Sequence, residues 1–164
     1  MGHDIYAYKE ASPLRRDEIA EELDINNYDH PDWSQRYQAY RLRTEAAYLR
    51  RSAFDPWNKA LYVALGAEDA YAGCSGDGSI QEFDLEQING ALQHIGKLME
   101  SPPPKREPNM ADGLEAVLTE HLGHEVTLAS PKPDPNDNLE DELAFLFRCK
   151  RHCEKHGSVS ICFS

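Results

Sequence analysis

An α+β domain is the fold class this sequence predicts: a small mixed or antiparallel sheet that includes both terminal strands and is packed by helices. Three observations carry the expectation. Ile5 and Ala7 alternate with Tyr6 and Tyr8 directly after Gly2-His3-Asp4. Val159, Ile161 and Phe163 alternate with Ser158, Ser160 and Cys162. Between these period-two ends run amphipathic stretches of helical period, without a regular strand and helix alternation. Terminal segments fray unless they are paired, so two terminal strands imply one sheet and a single domain over residues 1–164.

Each element has a local cause. Ser12 and Pro13 make an N-cap and first-turn pair ahead of Leu14, Ile19, Ala20 and Leu23, which predicts a short helix. Asn26, Asn27, Asp29, His30 and Pro31 break it and leave a polar loop before Trp33. From Tyr37 to Arg51 the pattern is double: Tyr40, Leu42, Thr44, Ala46 and Tyr48 suit a strand, whereas Tyr37, Tyr40, Thr44 and Ala47 suit a helix. Asp55-Pro56 reads as a helix start, with Trp57, Ala60, Leu61 and Ala64 on one face and Gly66 at the αL cap. Gly73 to Ser79 is a turn or a binding loop, followed by a short strand over Ile80 to Phe83. Asp84 and Gln87 open a helix whose stripe is Leu85, Ile88, Leu92, Ile95 and Met99, and Pro102, Pro103 and Pro104 end it. A helix over Ala111 to Leu122 and a brief strand over Glu125 to Ala129 follow, and a last helix runs from about Asn138 to His156.

Gly2-His3-Asp4-Ile5-Tyr6, Ala47-Tyr48-Leu49-Arg50, Gly73 to Gly78, the helix start from Phe83 to Leu92, and Gly157-Ser158-Val159-Ser160-Ile161 together resemble a family of small uncharacterised bacterial and phage proteins. The resemblance implies a strand over Glu45 to Arg51 and marks residues 11–43 as an insertion. It implies no activity and no functional residues.

A net charge of −12 opposes nonspecific binding to DNA, RNA or anionic lipid, because Lys and Arg supply most of that affinity. Nucleic acid and membrane are therefore not expected partners. The charge is uneven: Arg36, Arg41, Arg43, Arg50, Arg51 and Lys59 face only Glu45 and Asp55, a local +4 that leaves −16 on the remainder. Such a segment marks an anion site or pairs with the acidic helices around it, the latter being favoured. No charged segment followed by an apolar run opens the chain, and no apolar stretch reaches a membrane span, which predicts a cytoplasmic protein. Cys74, Cys149, Cys153 and Cys162 are then expected as reduced thiols.

Four candidate sites follow from residue chemistry. Cys149, His152, Cys153 and His156 at i, i+3, i+4 and i+7 carry zinc-ligand chemistry, but one straight helix supplies two or three ligands at most. The competing assignment places Cys149 and Cys153 in a core stripe with Leu139, Leu143 and Leu146, and it is favoured. Gly73, Ser75, Gly76 and Gly78 could offer backbone N–H groups to an anion, with Arg50 and Arg51 as its cations, although no phosphate-loop signature is present. Asp77, Gly78, Ile80 and Asp84 only brush a calcium loop, since Gly73 cannot ligate at its first position. His3 and Asp4 could act as acid and base, yet adjacent strand residues point to opposite faces.

The residues thus predict no catalytic group and no resident cofactor. The leading expectation is a non-enzymatic cytoplasmic accessory protein that binds a protein partner. One alternative is a binder of an anionic or nucleotide-like small molecule; another is a zinc-dependent protein or hydrolase using His152, Cys153, His156 and Cys149.

Overall fold

Strand β1 (Gly2–Tyr8) buries His3, Ile5 and Ala7 and leaves the residues between them half-buried, as its period-two pattern requires. The computed structural model describes residues 2–53, 55–101 and 139–164. Helices α1 (Pro13–Glu22) and α2 (Trp33–Thr44) come next, then β2 (Glu45–Ser52), α3 (Ala60–Leu65) and a 3₁₀ turn (Glu68–Ala70). Strand β3 (Ile80–Asp84), α4 (Leu85–Met99), α5 (Glu140–His156) and β4 (Ser158–Phe163) complete the described elements. The four strands form one sheet in the order β2-β1-β4-β3. Every neighbouring pair is antiparallel, with Tyr6 opposite Tyr48 on one side and Cys162 on the other. The fold is α+β, with the first and last strands side by side at the centre of the sheet.

One face of this sheet is the core. It presents Ile5, Ala7, Leu49, Phe83, Val159, Ile161 and Phe163, all buried. Against them lie Leu61, Tyr62 and Leu65 of α3, Ile88, Ala91 and Ile95 of α4, and Phe145, Leu146, Cys149 and Cys153 of α5. Each large side chain in such a cluster contributes roughly 1.5–3 kcal/mol through removal of apolar surface from water. On the other face Tyr6 stacks on Tyr8 and tilts against Tyr48, and the guanidinium of Arg16 in α1 lies 3.9 Å from the centre of the Tyr8 ring. Arg16 also donates to the carbonyls of Glu10 and Ala11.

Local chemistry accounts for the element ends. Asp84 accepts from the Gln87 amide and Gln87 accepts from the Asp84 amide, closing the capping box of α4. Gly66 takes φ +68° and its neighbour's amide, Ala67 N–H, returns to the Tyr62 carbonyl. The double pattern from Tyr37 to Arg51 resolves as a helix followed by a strand. At the junction the Thr44 hydroxyl donates to the Tyr40 carbonyl, ending the helix, while the Thr44 carbonyl accepts from Lys9 N–H, starting the sheet.

Three expectations are corrected. The helix does not start at Asp55-Pro56: residues 56–59 form turns and α3 begins at Ala60, because Asp55 accepts from Trp57 N–H two residues on and caps a turn instead. Met99 sits in the last turn of α4 and is exposed, and Leu14 on α1 is exposed too, since no element among the described residues packs over either. The helix over 111–122, the strand over 125–129 and Pro102 to Pro104 lie outside the described residues.

Candidate functional site

Arg50 and Arg51 are successive strand residues and part to opposite faces. Arg51 is buried and donates through Nε and Nη2 to the two carboxylate oxygens of Glu142, at 2.5 Å each, and through Nη1 to Asp55 at 3.1 Å. Burial alone would weaken its charge, but the Glu142 carboxylate outweighs this and holds the guanidinium more firmly protonated than usual. Arg50 is exposed, with Nε 3.8 Å from Asp4. The two arginines therefore cannot meet on one ligand. Most of the remaining basic segment is likewise paired: Arg36 with Asp24, Arg43 with both oxygens of Glu22, and Arg41 with Glu45.

The glycine loop is folded onto the end of β4. Asp77 N–H donates to the Ala70 carbonyl, Gly78 N–H to the Phe163 carbonyl and Ser79 N–H to the Asp77 side chain. These amides are consumed by the fold. The side-chain and backbone bonds to Ser79 also hold the Asp77 carboxyl below its usual range. A Cβ on Gly76 would stand 2.4 Å from the Phe163 carbonyl carbon, so glycine is there for a close backbone approach. Gly73 and Gly78 adopt φ of +85° and +82°. Ser75 turns its carbonyl to Ala72 N–H. The loop and the two arginines do not form one site.

His3 and Asp4 also separate. His3 is fully buried, its Nδ1 is 3.0 Å from the Tyr62 hydroxyl, and its ring stacks on Tyr71. Burial lowers its pKa. Asp4 accepts on the opposite face from the Tyr48 hydroxyl.

The last helix splits its four candidate ligands. Cys149 and Cys153 point into the core, where burial raises both thiol pKa values, and Cys153 reaches the Phe83 carbonyl. His152 and His156 lie outside, their rings stacked 4.4 Å apart. Among the described residues no group of three or more His, Cys, Asp or Glu side chains is placed to hold a metal.

The imidazoles instead open onto a cleft of about 1040 Å³ between α2, β2 and α5. Lys9, Arg41, Arg148, Arg151 and Lys155 line it, with Glu45 as the one carboxylate among the described residues. The helical period builds the α5 wall: with Phe145, Cys149 and Cys153 turned inward, Arg148, Arg151, His152 and Lys155 follow at i, i+3, i+4 and i+7 along its flank. This stripe was present in the sequence, hidden behind the Cys and His pattern that overlaps it.

Within the cleft, Arg41 donates to Glu45 at 2.8 Å and covers the Tyr48 ring, and Lys9 Nζ donates to the Leu42 carbonyl at 2.7 Å. Arg148, Arg151 and Lys155 make no ion pair among the described residues. Partial burial lowers the His152 pKa, and the neighbouring His156, Lys9 and Lys155 lower it further. Burial and the bond to Asp4 push the Tyr48 phenol up to about 12. The arrangement is a concentrated positive field on a chain of net charge −12.

No helix among the described residues is long and apolar enough to cross a membrane. No protein-family model, curated protein or solved structure matches the chain.

Proposed function

We propose that this protein is a non-enzymatic accessory protein that binds an acidic segment of a protein partner in the cleft between α2, β2 and α5. The observation that carries the reading is the wall of Arg148, Arg151 and Lys155, three cations without an ion pair, facing a cleft whose one carboxylate is Glu45, both counted among the described residues. Unneutralised cations gathered on an acidic protein favour an anionic occupant and speed its encounter. Guanidinium and ammonium groups offer several N–H donors and no acceptor, which suits them to holding an anion. The four free thiols support action in a reducing compartment such as the cytoplasm.

A second reading, an anionic small molecule, draws on the same cations and not on Arg50, Arg51 or the glycine loop. The test is fluorescence polarisation with a labelled glutamate-rich peptide at low salt, with inorganic tripolyphosphate as competitor. The expected result is saturable binding that weakens more than about tenfold in Arg148→Glu/Arg151→Glu and changes less than about twofold in the control Arg15→Glu/Lys97→Glu. Equal binding by the cleft variant would overturn both readings. Tripolyphosphate binding in the cleft with no peptide binding would select the second.

A further inference from the structure

We infer that the occupant of the cleft is an extended strand that adds to the outer edge of β2 along residues 46–50, carrying a carboxylate at every second residue. The inference rests on the cleft being a protein-binding site and specifies how the partner is held.

Among the described residues β2 is the outer strand of the sheet, paired with β1 along one side only. Glu45, Ala46, Ala47 and Tyr48 line the cleft in unbroken succession. Ala46 is the extra residue of a bulge opposite the Ala7-Tyr8 step, but Ala47 and Tyr48 beyond it point to opposite faces, so a space bordered by both runs along the strand's edge. The cleft is therefore laid over the side of β2 that faces away from β1. Apart from the ladder to β1, residues 46–50 make no backbone hydrogen bond among the described residues. Their outward amides and carbonyls are a template for another strand. Proteins blunt such an edge with proline, a very short strand, a charge or a bulge; β2 runs for eight residues without proline and carries one bulge, at Ala46, and one exposed charge, at Arg50. Ala46 and Ala47 put two small side chains in succession where a second backbone would approach.

The walls then set the chemistry of the added strand. Its side chains alternate between the α2 side and the α5 side. On the α5 side stand Arg148, Arg151 and Lys155, whereas on the α2 side stand Gln38, Leu42 and an Arg41 already bonded to Glu45. Carboxylates facing α5 gain partners, and the alternate positions need none. From Arg148 to Lys155 the helix rises about 10 Å, enough for two carboxylates spaced by the roughly 7 Å repeat of alternate strand residues. A second copy of this chain is a poorer occupant, because edge-to-edge pairing would bring two identical cationic walls together.

The test pairs the polarisation assay with amide hydrogen exchange by NMR on the full chain. The probe is a synthetic peptide of alternating glutamate and valine or threonine, compared with a peptide of the same composition whose glutamates are consecutive. The alternating peptide is expected to slow exchange of the fast-exchanging amides within Ala46–Arg50 by about tenfold or more and to bind at least about fivefold tighter than its isomer. Saturated binding lost in Arg148→Glu/Arg151→Glu but without protection of β2 would overturn the strand mode and leave the cleft reading standing. No binding of either peptide would overturn the cleft reading itself. Protection that grows with protein concentration in the absence of peptide would assign the edge to a second copy and overturn the inference.

Discussion

Arg51 of β2 and Glu142 of α5 are 91 positions apart in the chain and meet inside the protein through two parallel hydrogen bonds of 2.5 Å. Each ion has lost its water, so the pair ties the last helix to the edge strand only while both partners are present. Glu142 also sits in the first turn of α5, where a carboxylate complements the helix dipole.

Removing Arg51 leaves Glu142 and Asp55 buried without its cation, whereas removing Glu142 takes the bidentate partner from Arg51 and leaves Asp55 beside it. Arg51→Met is expected to lower unfolding free energy by about 3–5 kcal/mol and Glu142→Leu by less, because Asp55 stays beside Arg51, whereas the double replacement Arg51→Met/Glu142→Leu loses less than the sum of the two. Urea unfolding of the three variants measures it, and additive losses in the double variant would refute the coupling.

His152 supplies a pH dependence with a defined sign. Its pKa in the folded chain lies below 6.5, so the unfolded chain binds the extra proton first. The neutral ring contributes its full stability above pH 6.5, and that contribution is lost as pH falls through the folded value. His3, lowered by burial, acts in the same direction. His152→Gln should therefore flatten the acid side of the stability profile in part. An NMR titration should place the His152 pKa below that of a free imidazole and move it upward when acidic peptide fills the cleft.

Two glycines respond oppositely to the same change. Gly76→Ala drives a methyl group into the Phe163 backbone and is expected to cost about 1–3 kcal/mol. Gly90→Ala meets nothing within 4 Å on an exposed turn of α4 and is expected to gain about 0.4–1 kcal/mol. Thermal melting of the pair decides; equal shifts would disprove the close approach of the loop to β4.

The α4 cap can be isolated in the same way. Asp84→Ala opens the capping box and is expected to cost about 1 kcal/mol, read as a lower urea midpoint without a change in slope.

What the sequence disclosed depended on how far apart the determinants lie. Helix α4 was legible because Asp84, Gln87, Ile88 and Ile95 belong to one continuous segment. The two central strands were legible because alternation survives in a short window. Asp55-Pro56 misled because the same dipeptide that starts a helix also caps a turn, and the choice was made by Trp57 N–H and Arg51. Arg51 looked like a ligand residue because nothing near it in sequence announces Glu142. The α5 wall of the cleft could have been read from Arg148, Arg151, His152 and Lys155, but its opposition to Gln38, Arg41 and Leu42 is set by where β2 lies in the sheet.

The central place of β1 and β4 has a consequence for how the protein comes into being. Ile5 pairs with Phe163, and Asp4 and Ser164 exchange backbone hydrogen bonds, so the middle ladder joins segments far apart in the order of synthesis. Closing so long a loop carries an entropy cost that nearby contacts cannot repay in advance, and topologies of this kind fold slowly. While the ribosome is still building α5, β1 can meet β2 but not β4, and Ile5, Ala7 and Leu49 have only part of their cover. The nascent chain thus carries an open, apolar sheet edge until β4 emerges, which makes that interval the one in which a chaperone or a wrong neighbour has most to hold.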